Sequence, residues 1–600
     1  MDDFTVSNLE LIHSTNYNGH TLVEVLDKTS TAMGGRLLKK WLLFPLITAK
    51  KIQNRQDVVE FFINNTESFD FVKAQFQEIG DLERMISRLA VLKTSPRELN
   101  QLKKSLKSII PVKDELLSQN HKQLNSWANN LKDNSKTIEA IEQILFEDAP
   151  IAIGKGQVVK EGFHKELDEL RNLLSNAKSV LLKIQKREIE KTGISSLKIA
   201  FNNVFGYFIE VRNTHKDKVP EDWIRKQTLT SAERYVTEEL KVYEEKILGA
   251  EEKILILEQQ IFSKLIEDLL PTIDKVVHNA KCIAYLDVIH GLAQASISNH
   301  YCKPKIVDGL EINIKDGRHP VIEQFLPLGE SYIPNDVFLD NKKQQIMMIT
   351  GPNMSGKSAL LRQTALILIM AQIGSFVPAK SAEIGVIDKL FTRVGANDNI
   401  SSGESTFMVE MNETSSIMNN ISQRSLILLD EIGRGTSTYD GISIAWSIAE
   451  FLHENPKCQP KTMFATHYHE LNNMSKKLQR IKNFNVSVKE IDKKIHFIRK
   501  LVEGGSEHSF GIHVAKVAGM PKIIISKAEK VLKNLEFDKT ENTKKELNTI
   551  DNGDNQQLSF FQLDDPILSD IRNEIENLDV NSLTPVDALI LLNDIKKKLG

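Results

Sequence analysis

Three cysteines serve 600 residues: Cys282, Cys302 and Cys458. They lie far apart and form no CxxC pair. That excludes a zinc ribbon and a disulfide framework, and it fits a reducing cytoplasm. Long hydrophobic runs are missing as well. The most apolar helical run, residues 359–373, contains Arg362 and Gln363 and is too short to span a bilayer. The opening residues, MDDFTVSNLELIH, are acidic and polar, which is wrong for a signal or transit peptide. Neither acids nor bases are in large excess: the net charge is −3, so any nucleic-acid contact must come from a local basic patch. His467 and His469 do not form an HExxH zinc site, and no other metal-ligand cluster stands out. These absences predict a soluble cytoplasmic protein.

What is present is an ordinary globular composition, 41% hydrophobic and 26% charged, in a chain too long for a single core. Residues 1 to about 145 show helical periodicity, as in TLVEVLDKT and GGRLLKKWLLF. A long polar helix is predicted at about 163–191. The segment LKIAFNNVFGYFIEVRN (197–213) is rich in aromatic and β-branched residues and reads as a small hairpin or sheet. A second long helix is predicted from about Ala232 to Leu269. Two long helices flanking a β-rich tip describe an arm whose helices return to one base. From about Ile306, β-rich runs alternate with helices, which argues a mainly parallel sheet. Residues 538–556 are polar and read as a flexible linker.

One motif carries the chemistry. GPNMSGKS matches G-x-x-x-x-G-K-[ST] at Gly351, Gly356, Lys357 and Ser358, after an apolar strand and before an apolar helix. The glycines let backbone N–H groups approach phosphates, and the helix N-terminus adds partial positive charge. Lys357 supplies a point charge, and the Ser358 hydroxyl can ligate Mg²⁺. The apolar run LILLDE ends in Asp430, suited to Mg²⁺, and Glu431, suited to orient or deprotonate a water. KTMFATHYHE ends a third strand at His467, which could sense a terminal phosphate or simply cap a helix or stand in solvent. SSGESTFMVEMNETSSIM reads as a helix with a serine-rich start at Ser401–Ser405. That start could receive an anion or simply cap its own helix.

GPNMSGKS, STFMVEM, LLDEIGRGTSTYDG and FATHYHEL, in this order, resemble the MutS mismatch-repair ATPases, a branch of the ABC class. NLELIHSTNYNGHTLVEVLDKTSTAMGGRLLKKWLLFPL is similar to the start of that family's core domain, and FNNVFGYFIEV with RKQTLTSAERY to its DNA clamp. The resemblance implies a multidomain α and α/β protein: a helical core and lever with an inserted β-rich clamp, then a P-loop ABC-type ATPase domain. The implied boundaries are core, first part, 1–162; clamp arm and tip 163–240; returning lever 241–303; ATPase domain ending in a helix-turn-helix 304–537; linker 538–556; and a small helical end 557–600.

The resemblance also assigns residues. Ser405 is similar to the signature serine that reaches the ATP of the opposite subunit, which implies a dimer with shared active sites. Tyr332 stands where the family places an aromatic against adenine. Asn353 belongs to the family's GPN pattern, and Pro352, Met354 and Ser355 complete the loop. The implied cofactors are ATP and Mg²⁺, with Glu431, His467 and Lys357 as the catalytic set and Ser358 and Asp430 as Mg²⁺ ligands. Ten Lys/Arg against six acids give residues 183–226 a local charge of +4. Within them Lys198, Arg212, Lys216, Arg225 and Lys226 are the candidate contacts to double-stranded DNA. Gln557, Leu558, Phe560 and Phe561 resemble a replication sliding-clamp-binding segment. A homodimer, higher association through the C-terminus, a MutL-like repair partner and a bacterial, nucleoid-associated setting are implied likewise. The family's mismatch-reading Phe-x-Glu domain and its connector are not found in the sequence. That predicts a fragment or a shortened form that binds DNA without preferring mismatches. A DNA-independent, ATP-driven interaction module remains the alternative.

Overall fold

The computed structural model describes residues 1–532 except 15–16, 203, 205, 353–354, 395–404, 492–493 and 506–510, and beyond them only residue 593. The linker 538–556 therefore lies outside the described residues, as do Asn353, Met354, Gln557, Leu558, Phe560 and Phe561. The chain forms two compact units, Met1–Gly511 and Ile512–Gly600. No helix among the described residues is long and apolar enough to cross a membrane.

The first part of the larger unit is a helical body. Its helices Ala32–Leu43, Ala49–Asn64, Thr66–Glu78, Leu82–Ala90 and Pro96–Ser118 present apolar positions at helical spacing to a common core. Phe62, Phe76, Leu82 and Val112 are fully buried there. Helix starts follow local chemistry: Ser95 and Glu98 make a reciprocal capping box, with Pro96 at the first turn. The long helix Ile273–Asn299 runs through this body and is buried on most sides. It carries Asp287, wholly buried, whose carboxylate accepts from Ser30 N, Thr31 N and Thr31 Oγ1.

Two helices leave the body as an arm, Lys165–Thr192 and Glu238–Leu269. At 1.5 Å per residue they extend roughly 42 and 48 Å. At their base the buried Glu258 accepts from Arg171 at 2.6 Å and from Val158 N at 3.1 Å. Between them lie β1 (Lys198–Asn202), β2 (Gly206–Arg212), β3 (Ile224–Thr228) and β4 (Ala232–Val236), a sheet in the order β1-β2-β4-β3 with antiparallel neighbours. This corrects the second helix expected from Ala232. Tyr235 and Val236 favour a strand and are buried, Tyr235 in the tip core. The helix begins only at Glu238, capped by the Thr237 side chain and with Glu239 also in its first turn.

The rest of the unit is α/β. A small sheet runs β5 (Lys305–Val307), β9 (Ser381–Gly385), β6 (Ile312–Gly317) and β7 (Asn335–Leu339). The main sheet contains β8 (Ile346–Thr350), β10 (Leu390–Arg393), β11 (Leu426–Asp430), β12 (Lys461–Ala465), β13 (Ile481–Ile491) and β14 (Lys494–Glu503). Its order is β10-β11-β12-β8-β13-β14, parallel except for β14. β8, β11 and β12 are buried at every residue, as strands covered on both faces must be.

Body and main sheet share one continuous core. The joint is made by the end of the helix Lys357–Ile373. Gln372 Nε2 donates to Leu46 O and Ile387 O, and Leu46 N donates to Gln372 O. Arg55 lies 3.3 Å over the Trp41 ring centroid and donates to Ile373 O at 2.9 Å.

Candidate functional site

The main sheet brings three strand ends together. Asp430 of β11 pairs in register with Ala465 of β12, and Ala465 with Ile349 of β8. Gly351, Pro352, Ser355 and Gly356 and residues 431 and 466–467 therefore share one carboxyl edge, where open parallel sheets place ligands. The helix after β8 starts at Lys357 with Gly356 as its N-cap. Gly356 has φ +102° and no side chain to cap the helix, so no capping side chain covers the first N–H groups where Gly356, Lys357 and Ser358 line a cavity.

A cavity of about 590 Å³ opens here. It is lined by Pro352, Ser355, Gly356, Lys357 and Ser358 from the loop and helix start, and by Asp430 and Glu431 from the end of β11. Lys357 is buried, and its Nζ donates to Gly351 O at 2.7 Å and Pro352 O at 3.0 Å. Burial lowers its pKa, opposed by the carboxylates of Glu431 and Asp430. Burial raises the pKa of Asp430, opposed by the Ser358 hydroxyl beside it. Asp430 Oδ1 and Ser355 Oγ are buried without a hydrogen-bond partner among the described residues. A buried carboxylate oxygen with no partner, next to a serine hydroxyl, is a hard oxygen set that fits Mg²⁺.

Glu431 adopts φ +54°, a left-handed conformation uncommon outside glycine. Its N–H donates to Ala465 O at 2.9 Å, and its Oε2 lies 2.5 Å from Arg434 Nη1. His467 lies two residues past the end of β12, open to solvent on one side and packed against protein on the other. Burial of its ring lowers its pKa, and the nearby Glu431 carboxylate opposes that shift. Tyr332 lines the far side of the cavity, its hydroxyl donating to Gln363 Oε1 at 2.9 Å. Ser405 stands outside the cavity lining. It is exposed at the N-cap of the helix Thr406–Asn420, and its side chain makes no capping hydrogen bond.

Sequence reasoning missed part of the lining. Arg499 and Leu501 come from β14, Val486 from β13 and Asn335 from β7. Asn335 joins the strands: its Nδ2 donates to Arg499 O at 3.1 Å, and its Oδ1 accepts from Leu501 N at 2.8 Å. Arg499 itself has φ +57°. No motif marks these residues; only the β13–β14 hairpin returning beside β8 brings them in.

The candidate DNA contacts lie at the arm tip, and all five are exposed. They do not share one face. Lys198 stands opposite Glu210, in the same outward row as Arg234, and Arg212 follows that parity. Arg225 stands in register with Tyr235, on the core side, and its Nη1 is 3.5 Å from Glu233. Lys226 sits at the register shift between them, and Lys216 in the short helix Asn213–Lys218.

A helical body with a β-tipped arm, joined to an α/β part with a phosphate-type loop at its sheet edge, defines a mixed helical and α/β multidomain protein. The profile for MutS domain III matches residues 4–293, and that for MutS domain V matches residues 347–536. DNA mismatch repair protein MutS of Christiangramia forsetii is 60% identical over 600 residues, covering 100% of this chain and 69% of its own length. The proteins of that name from Flavobacterium psychrophilum and Bacteroides thetaiotaomicron are 59% and 58% identical over 600 residues, covering all of this chain and 69% and 70% of their own lengths. The chain belongs to the MutS family of DNA mismatch repair proteins.

Proposed function

We propose that this chain is a P-loop ATPase of the ABC type that works as a dimer on duplex DNA, with Mg·ATP in the cavity above. The observation that carries the proposal is the meeting of Lys357, Ser358, Asp430 and Glu431 in one cavity at the carboxyl edge of a parallel sheet. The open N–H groups from Gly356 onward would bind the phosphates, and Lys357 would leave its loop carbonyls for the β/γ-phosphates. Tyr332 and Arg499 offer flat faces for the base. Ser358 and Asp430 would hold Mg²⁺, and the bound ion would neutralise charge between the terminal phosphates. Glu431 would orient the attacking water and take its proton. His467, next to Glu431 at the same sheet edge, would read the terminal phosphate. The exposed, non-capping hydroxyl of Ser405 supports a contact made in trans, across the dimer.

For DNA, exposed Lys198, Arg212, Lys216 and Lys226 support contacts to phosphates, which are sequence-independent and weaken with salt. Arg225, already held by Glu233, would contribute less. One experiment tests both parts: phosphate release by wild type and Glu431→Ala, with and without duplex DNA, at low and moderate salt. The expected outcome is a Glu431→Ala protein that still binds labelled ATP but has lost turnover. The wild-type rate should respond to duplex at low salt, and the response should fade at moderate salt. Full turnover by Glu431→Ala would move the base elsewhere. A rate indifferent to DNA at every salt would leave an ATPase that acts without touching DNA.

A further inference from the structure

The loop that follows Glu431 is held by residues with no part in binding phosphates. Gly433 is its fixed point. Its N–H donates to Glu410 Oε1 at 2.6 Å, and its carbonyl accepts from Tyr468 Oη at 2.9 Å. Both partners are 5% exposed. Gly433 has φ +87°, and a Cβ there would meet the backbone of Gly441 at 2.6 Å, so the loop has little room to move. Two residues on, a Cβ at Gly435 would meet Phe407 Cβ at 3.0 Å. Glu410 and Phe407 both belong to the helix Thr406–Asn420, whose N-cap is Ser405. Glu410 is itself anchored: its Oε2 lies 3.7 Å from Arg393 Nη2, and Arg393 Nε is 3.1 Å from Glu413, in a nearly dry cluster.

These contacts form a chain from the start of the helix at Ser405, through Glu410, to Gly433 and so to Glu431 two residues earlier. Glu431 needs such support. Its left-handed backbone is uncommon for a non-glycine residue, and such conformations persist only where the surroundings fix them. A buried carboxylate accepting a backbone N–H is a strong, directional restraint. Tyr468 applies the opposing restraint from the residue after His467, so the same glycine joins the ends of β11 and β12.

We propose that Glu410 is a positioning residue for Glu431: through Gly433 it sets the carboxylate's place and ties it to the helix that presents Ser405. The inference rests on the reading of Glu431 as the base. An event at the Ser405 end of the helix would then reach the base of the same protomer without passing through that protomer's own nucleotide.

The test compares Glu410→Ala, Glu410→Gln and Tyr468→Phe with wild type, and with Glu431→Ala, in full-length chain. Steady-state phosphate release gives kcat, and equilibrium binding of labelled ATP gives affinity. Glu410→Ala should lose about tenfold or more in kcat while ATP affinity stays within about twofold. Glu410→Gln keeps an acceptor for Gly433 N and should recover most of kcat. Tyr468→Phe removes only the hydroxyl and should lower kcat by roughly threefold, again at constant affinity. The split between kcat and affinity, with rescue by Gln, is not what mere loss of folding would give. Wild-type kcat in Glu410→Ala, a Gln variant as slow as the Ala variant, or affinity falling in step with kcat each overturns the proposal. If Glu410→Ala does not fold, Tyr468→Phe decides, and full kcat there overturns it. A Glu431→Ala protein with full turnover removes the underlying assignment. A dead Glu431→Ala beside a fully active Glu410→Ala removes this inference alone.

Discussion

At the residue scale, His290 is fully buried among Phe62, Phe69 and Phe76, with Nε2 2.9 Å from Phe69 O. Burial, the largest cause, pushes its pKa down to about 4 from 6.5. The folded state thus resists a proton that the unfolded chain accepts. The stability this group contributes is full above pH 6.5 and is lost as pH falls towards 4, by on the order of 3 kcal/mol. Urea midpoints measured between pH 7 and pH 5 should fall, and His290→Phe should make that fall shallower by one proton's worth. An unchanged slope in the variant would contradict the account. Nothing in the sequence marks that histidine as buried. Lys357, Ser358, Asp430 and Glu431 could be named from the sequence because their chemistry demands fixed residue types at fixed offsets from strand ends, and the cavity brings all four together. Arg499 and Asn335 could not. Their place depends on β14 returning beside β7, 164 positions separating the Asn335–Arg499 pair. Glu410 and Tyr468 stood inside quoted motifs, yet their contacts with Gly433 appear only once the loop is folded.

At the element scale, the long arm helices and the strand–loop–helix around Lys357 followed from periodicity and caps. The error at Ala232–Val236 had a physical cause. A helical spacing of apolar residues continues from Leu240 onward, while Thr237 stops the helix before β4 and tertiary pairing with β2 takes those residues. The helix Lys357–Ile373 links the phosphate loop to the helical body. It begins at the phosphate loop and ends against the helical body, through Gln372 with Leu46 and through Arg55 with Ile373. Gly374 closes it at φ +94°, and a Cβ there would lie 2.4 Å from Arg55 Cβ. Gly374→Ala should cost more than the ~1–2 kcal/mol of a left-handed alanine, since the Arg55 stack must also shift. The denaturant midpoint of the Met1–Gly511 unit should drop. A midpoint equal to wild type would mean that this joint is slack.

At the scale of the whole molecule, one hydrophobic core runs from the body into one face of the main sheet. A second core fills the other face, and a third fills the arm tip. Packed residues thus run from near the phosphate loop towards the arm's base, where Arg171 and Glu258 tie the two long helices. Under the proposed function, this path would let the nucleotide cavity respond to DNA at the arm, because close-packed interiors transmit displacement. All of it depends on the cavity being an ATP site. The most direct measurement is equilibrium binding of labelled ATP to Lys357→Ala beside wild type. Lys357 is the buried cation of that cavity, and with it gone affinity should fall by about a hundredfold or more, equivalent to roughly 2.7 kcal/mol. An affinity equal to that of wild type would contradict the account at its centre.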